Sequence, residues 1–375
     1  MMKPRAVHVL ILGGDGIGPE VTAEAARVLA AATARFALPI TMEAQPFGLA
    51  AWKAHGALLP PQTVAALGRA DAVLFGAGDS LGRAGIPAEE RARGSLLALR
   101  QRLGLFANLR PVRPLPPLAG VSPFKARVLA GVDLLFLREL SGGVYYGTPR
   151  GIEAGPGGER RGINTHAYSE SQIIRAARFA FALARTRRGR VTSVDKANVM
   201  EAGALWREVV TALHADEFRD VTLEHMLADT CALMLGRDPA RFDVVLTDNL
   251  FGDLLSDAAG ALPGSLGLLP SASLSAPAPD GRRRALYEPV HGSAPDLAGR
   301  GVANPLAAIL SVALLLRWSA GAEAAAQAVE GAVLAALEAG ARTADIALPG
   351  EAVLGTAAMG DAVLRALVEN ATEGA

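Results

Sequence analysis

The chain is poor in several things, and each shortage excludes a class of protein. One cysteine, Cys231, stands in 375 residues. It cannot form an intrachain disulfide and has no cysteine partner for a zinc site, which fits a reducing compartment. Net charge is absent, with 37 Lys+Arg against 37 Asp+Glu. That removes the electrostatic case for nucleic acid as the main partner, because such binding comes largely from neutralising phosphates. Long apolar runs are missing too. Leu306 to Leu316 falls well short of the roughly 20 residues a membrane span needs, and Val7 to Leu12 is too short for the apolar region of a signal peptide. The expectation is a soluble, cytoplasmic protein. Lysine is the last scarcity: only Lys3, Lys53, Lys125 and Lys196 occur, and the other 33 of the 37 basic residues are arginine. On that background, a lysine at a strand end points to a need for a deprotonatable amine.

Strand-like runs alternate with helical patterns almost throughout: "AVHVLIL", "DAVLFG", "LLFLREL", "RVTSVDK" and "DVVLTDN". This predicts an α/β fold with much parallel sheet, and the length suggests two domains. In "SESQIIRAARFAFALARTRR", Ser169 and Gln172 make a helix start signal. Ile174, Ala177, Phe181 and Ala184 follow at helical spacing, and Arg185, Arg187 and Arg188 read as a solvated helix end. Three Gly/Pro-rich stretches punctuate the chain. Those at 110–120 and 270–284 read as domain crossings, and that at 148–162 as a long loop or β-arm.

"GGDGIGPE", residues 13–20, invites comparison with a dinucleotide phosphate loop, which needs G-x-G-x-x-G. Gly14, Gly16 and Gly18 are instead two apart, and Pro19 stands three after Gly16. The carboxylate expected some 20 residues later is supplied only by Glu43, which lacks a clear strand end. The stretch therefore reads as a sharp turn with uncovered N–H groups, followed by a helix with Pro19 in its first turn.

The densest chemical signal is "TDNLFGDLLSDAAG", 247–260. Asp253 and Asp257 lie four apart on one helical face, where like charges repel unless a cation lies between them. The pair reads as a Mg²⁺ or Mn²⁺ site or as an acidic helix start favoured by the dipole; Asp229 is a possible third carboxylate. Arg100, Arg110 and Arg138 end or flank apolar segments. They are surface arginines or a clamp for two carboxylates. Tyr145 and Lys196 are candidate proton carriers, although a tyrosine more often packs. The stretch "YEPVHGSAPDLAGRGVANP", 287–305, reads as an irregular loop leading into a helix after Pro305. Around Gly292 to Ala294 its backbone suits close approach to a ligand. His291 suits stacking or hydrogen bonding. Asp296 suits a ribose diol and would repel a phosphate on it; an ordinary surface loop with a helix cap is the alternative.

Together with "RGSLLALR", "LFANLRP", "RELSGGVYYG", "SVDKANV", "LPGSLGLLPSASL" and "ANPLAAILS", in order from about residue 7 to the end, these motifs resemble the isocitrate/isopropylmalate family of β-decarboxylating dehydrogenases. The resemblance implies a two-domain α/β fold with a large mixed sheet rather than a simple Rossmann unit. Residues 1–105 and 264–375 would form the cofactor-binding domain, and 106–263 a smaller domain for dimerisation, substrate and metal. It implies NAD held by Ile17, Glu288, His291, Gly292, Ser293, Ala294, Asp296 and Asn304. It also implies Mg²⁺ or Mn²⁺ on Asp229, Asp253 and Asp257. The substrate is a 2-hydroxy acid with a second carboxylate, clamped by Arg100, Arg110 and Arg138 and contacted by Asp229. Lys196 would take the hydroxyl proton and Tyr145 would deliver one after CO₂ leaves. The site would be shared between the subunits of a homodimer. Leu96, Leu97 and Val199 would line an alkyl pocket, which favours (2R,3S)-3-isopropylmalate and a role in leucine biosynthesis. Another 3-substituted malate, homoisocitrate, tartrate or malate is the alternative substrate, and a non-catalytic regulatory homologue a remote one. The chain departs from the family pattern at Arg93, at the start of the Leu96/Leu97 helix. It departs again at the variant segment 77–85, and at Leu227 and Ala228, where bulkier residues are common.

Overall fold

The structure is a computed structural model that describes residues 6–78 and 85–369. The variant segment therefore lies outside the described residues at 79–84. Two compact units emerge. The first runs up to Leu105 and takes in Pro114–Pro123 and the chain from Ala261 onward; the second comprises Phe106–Arg113 and Phe124–Gly260.

In the first unit five strands lie in the order Ile40–Ala44, Val7–Gly14, Ala72–Ala77, Ala285–Pro289, Pro270–Ser275. The first three pairings are parallel and the last is antiparallel. Ala72–Ala77 is buried at every residue, which is why "AVLFGA" is apolar without alternation. The helix Leu306–Trp318 is almost wholly buried as well. Its burial, rather than a membrane, accounts for the run Leu306 to Leu316, and no described helix is long and apolar enough to cross a bilayer. Two expectations fail here. The stretch 270–284 is no domain crossing, because it opens with a buried strand inside this unit. The stretch 287–305 is not irregular from its start, because Tyr287 to Pro289 finish a buried strand. Proline fits there because Pro289 is the strand's last residue, opposite Pro270.

The second unit orders its strands Leu105–Val112, Leu134–Glu139, Val244–Thr247, Arg190–Asp195, Thr222–Leu227. Only the first pairing is antiparallel. Its helix Glu170–Arg185 starts at a full capping box, with Ser169 and Gln172 exchanging side-chain and backbone bonds. The buried stripe includes Ile173, Ala177, Phe181 and Ala184, while Ile174 sits half-buried. The basic helix end is not uniformly solvated. Arg187 Nε donates to the buried Asp243 at 2.8 Å and its Nη2 to Asp133 at 2.8 Å. A buried carboxylate needs such a partner. The 148–162 stretch forms a β-arm, Gly151–Ala154 antiparallel to Arg160–Ile163, exposed along nearly all its length.

Candidate active site

Strand register assembles the centre of the second unit. Asn108 pairs directly with Arg138 across the antiparallel strands, and Arg138 pairs with Thr247 on its other side. Arg110 lies two residues beyond Asn108, so Asn108, Arg110 and Arg138 share one face of the sheet. The helix Asn249–Ala259 crosses that face. It begins at Asp248, whose side chain caps the N–H of Phe251 at 2.7 Å. Gly252 is required by the crossing: a Cβ there would meet the Arg138 stem at 2.6 Å and Thr247 Oγ1 at 2.4 Å. The spacing 249, 253, 256, 257 then puts four polar side chains over the arginines.

The result is one hydrogen-bonded cluster. Arg110 donates from Nε to Asn108 at 2.8 Å and from Nη1 to Ser256 and Asp257 at 2.8 and 2.6 Å. Its Nη2 reaches Asp253 at 3.2 Å. Arg138 also donates to Asp253 Oδ1, and Tyr145 Oη donates to Asp253 Oδ2 at 2.6 Å. The Arg138 guanidinium lies 5.3 Å from the centre of the Tyr145 ring. Burial and the bond to Asp253 push the Tyr145 phenol pKa up. Burial chiefly raises the Asp257 carboxyl, with the Asp253 charge adding to it and both arginines opposing it. Of the expected site residues, the structure thus brings Arg110, Arg138, Tyr145, Asp253 and Asp257 together.

Lys196 and Asp229 form a separate pair at 2.6 Å, and the ammonium holds the Asp229 carboxyl below its usual range. Asp229 is not brought to the other two aspartates: among the described residues no group of three such side chains could hold a metal. Lys196 follows Asp195, a buried carboxylate gripped by Arg207 at 3.0 and 2.9 Å that also accepts the Ala197 N–H at 3.0 Å. Val199, expected in an alkyl pocket, is 71% exposed.

The first unit carries the remaining candidates. Arg100 and Glu288, both buried, form an ion pair at 2.7 Å. Leu96 and Leu97 are half-buried at the start of the helix Leu96–Arg102, which Ser95 caps. Arg93 does not begin this helix but ends the preceding one, Ala88–Arg93, paired with Glu89 and Glu90. The N–H groups of the glycine turn are not left uncovered as expected. Asp15 N–H bonds the Ala77 carbonyl, Gly18 N–H that of Asp15, and Ile17 N–H that of Ser293, at 2.8 to 2.9 Å. Gly16, at φ +59°, is needed because a Cβ would lie 2.0 Å from that same Ser293 oxygen. Ile17 itself is buried, and Pro19 opens the helix Gly18–Arg35.

The 291–304 segment is pinned by Glu20, which accepts the N–H groups of Gly299 and Gly301. Gly292 is exposed, Ser293 buried and Ala294 left-handed at φ +38°. Asp296 presents an exposed residue, whereas Asn304 is engaged at both ends of its amide, by Leu306 N–H and by Asp345. His291 Nδ1 donates to the Gly292 carbonyl at 2.9 Å, which leaves Nε2 as a buried acceptor without a partner among the described residues. Burial pushes this imidazole's pKa down. Asn108, Asn249, Ser256 and the Asp195–Arg207 pair were not singled out from the sequence. The first three stand within the motifs quoted above, but only the register reveals what their side chains touch.

The profile of the isocitrate/isopropylmalate dehydrogenase family matches residues 8–363. A protein of Bradyrhizobium diazoefficiens named 3-isopropylmalate dehydrogenase 1 is 54% identical over 96% of this chain and 95% of its own length. One of Symbiobacterium thermophilum named 3-isopropylmalate dehydrogenase is also 54% identical, over 96% and 99%. Among solved structures, isocitrate dehydrogenase from Methylococcus capsulatus superposes with a TM-score of 0.82 at 30% identity, covering 96% of this chain and 99% of that one.

Proposed function

The chain belongs to the isocitrate/isopropylmalate dehydrogenase family, and we propose that it oxidises (2R,3S)-3-isopropylmalate with NAD. The products are 4-methyl-2-oxopentanoate, CO₂ and NADH, in leucine biosynthesis. The observation that carries the reading is the Arg110–Arg138–Tyr145–Asp253–Asp257 cluster, in a chain about half identical to enzymes bearing that substrate's name.

Arg110 and Arg138 would hold a substrate carboxylate in exchange for their present carboxylate partners, and Arg100 is the third arginine of the proposed clamp. Lys196, as its neutral amine, would accept the C2 hydroxyl proton, and the Asp229 carboxylate, 2.6 Å away, would balance the charge of the resulting ammonium. NAD, when bound, would supply the acceptor for the C2 hydride. The C3–carboxylate bond then breaks, CO₂ departs, and its electron pair remains at C3. Tyr145 Oη, a protonated donor beside Asp253, delivers a proton to that carbon.

Asp253 and Asp257 suit a divalent cation, because both are hard oxygen donors, partly exposed, and Asp257 is raised partly by the Asp253 charge that a cation would neutralise. Mg²⁺ or Mn²⁺ held there, with Asp229 as third ligand, would acidify the C2 hydroxyl and favour charge on its oxygen. For the dinucleotide, the buried acceptor His291 Nε2, which has no partner among the described residues, fits an N–H donor such as the adenine amino group. Ile17, Glu288, Gly292, Ser293, Ala294 and Asn304 complete that site. Asp296 selects NAD by accepting from the ribose diol and repelling a 2′-phosphate.

We further propose a homodimer in which Lys196 and Asp229 serve the partner's cluster. Support comes from the bonding of Asp229 to Lys196 and from apolar side chains left exposed on the second unit: Leu233 and Leu254 on helices, and Ile152 on the β-arm. Leu96, Leu97 and Val199 would contact the isopropyl group.

The test is NADH formation with 3-isopropylmalate, isocitrate, homoisocitrate, malate and tartrate in parallel, with Mg²⁺ present. Strong preference for 3-isopropylmalate upholds the reading. Preference for another acid would move specificity to Arg93, Leu227, Ala228 and the 77–85 segment.

A further inference from the structure

Asn249 sits at the first turn of the helix that carries Asp253 and Asp257, only 1% exposed. Of the groups assigned to substrate, metal or cofactor, its side chain hydrogen-bonds Arg138. Oδ1 accepts from Arg138 Nε at 2.9 Å, and Nδ2 donates to the Gly142 carbonyl at 3.0 Å. The orientation of this amide is fixed by chemistry, because a guanidinium only donates and a carbonyl only accepts. Gly142 opens the turn Gly143–Tyr145, which delivers the Tyr145 hydroxyl to Asp253. At the same N-terminal end of the turn, Glu139 accepts the N–H groups of Ser141 and Gly142 at 2.9 Å. The backbone N–H of Asn249 is also committed, to Tyr168 Oη at 2.8 Å. The Tyr168 ring in turn packs where any Cβ on Gly142 would stand, 2.5 Å away.

We propose that Asn249 is a positioning residue that couples the carboxylate-binding Arg138 to the proton-donating Tyr145 through the two ends of its amide. Three elements converge on one buried side chain: the strand end bearing Arg138, the turn bearing Tyr145 and the helix bearing Asp253. Arg138 and Tyr145 both bond Asp253, but by opposite oxygens, so the carboxylate alone does not set their mutual orientation. Asn249 fixes each from behind, at the guanidinium Nε and at the turn's backbone. Aspartate at 249 would keep the acceptor for Arg138 while turning an oxygen toward the Gly142 carbonyl. Alanine removes both links and spares the backbone bond to Tyr168.

The inference rests on the proposed decarboxylation, in which a single acid protonates C3 from one face. The experiment uses the full-length protein turning over 3-isopropylmalate in D₂O, with the 2-oxo acid reduced as it forms so that the C3 label is preserved. Wild type should place deuterium at one of the two C3 positions. Asn249→Asp should lower kcat by about 10-fold or more, leave KM within about 3-fold, and scramble the label. Asn249→Ala should scramble it as well and raise KM, because Arg138 loses its anchor too; Asn249→Ser serves if the alanine variant folds poorly. Variants that lose only melting temperature, with kinetics and label stereochemistry unchanged, overturn the proposal. Should wild type itself not act on 3-isopropylmalate, the functional reading falls. Crystal structures of wild type and Asn249→Ala then decide the link: displaced Arg138 and 142–145 turn support it, and unmoved ones refute it.

Discussion

Two junctions in this molecule share one plan, a buried parallel strand running through a short polar turn into a helix, and they use it in opposite ways. At Val7–Gly14 into Gly18–Arg35, the polar groups of the turn bond one another and their immediate neighbours. Its N–H groups go to the carbonyls of Ala77, Ser293 and Asp15, and the Asp15 carboxylate accepts the N–H of Leu49 at 2.6 Å. At Val244–Thr247 into Asn249–Ala259, one carboxylate caps the helix, while Asn249, Asp253 and Asp257 face two arginines and a tyrosine. Glycines make the first junction sharp, and glycine at 252 makes the second close-packed. Only the second presents ionisable side chains in an arrangement that can bind and move charge. A glycine-rich strand–helix turn is therefore weak evidence of a ligand site until the partners of its N–H groups are known.

Substitutions should separate the two junctions cleanly. The largest effect expected is at the tyrosine beside the second junction: Tyr145→Phe should reduce kcat by about 10²–10⁴-fold with an unchanged melting curve. Steady-state kinetics alongside calorimetry checks both halves of that statement. Gly16→Ala should do the reverse, because it forces a left-handed alanine against the Ser293 carbonyl. Denaturant unfolding should reveal a loss of about 1–3 kcal/mol, with kcat at saturating NAD near normal and the KM for NAD raised, because Ser293 and Ile17 shift with the turn. Asp248→Ala removes the cap of the second helix and should cost about 1 kcal/mol by the same unfolding measurement. Equal losses of turnover at both junctions would erase the distinction drawn between them.

The smallest effect concerns Cys231, in the helix Ala228–Arg237 that also carries Asp229. Burial pushes its thiol up to about 12, so the native protein at pH 8 should resist a thiol-reactive dye that labels the unfolded chain at once. Because the thiol is raised in the fold, its contribution to stability is full below the ordinary value of 9 and fades as pH climbs toward 12. Fast labelling of native protein at pH 8 would contradict the burial of this helix.

Much of the fold is legible in the chain because burial on both faces writes strands as apolar runs, as in "DAVLFG" and "DVVLTDN". The capping box at Ser169 and Gln172 is equally direct, since both partners lie within one turn. The arm at 148–162 announces itself by glycine and proline. What escaped reading depends on partners far along the chain. Pro270 and Pro289 look like loop residues until their antiparallel pairing ends two buried strands. Arg187 looks like a solvated helix end until Asp243, 56 residues away, is brought beneath it. In the candidate site, helical spacing brings Asp253 and Asp257 to one face, but Arg110 and Arg138 meet them only through strand register. Asn249 was invisible as anything but a helix-start residue, because its two partners come from separate segments.

The most direct test of the account is product stoichiometry. Purified protein given 3-isopropylmalate, NAD and Mg²⁺ should release NADH, CO₂ and 4-methyl-2-oxopentanoate in equal amounts, at a rate that Tyr145→Phe cuts sharply. NADH without matching CO₂ and 2-oxo acid, or undiminished turnover by Tyr145→Phe, would contradict it.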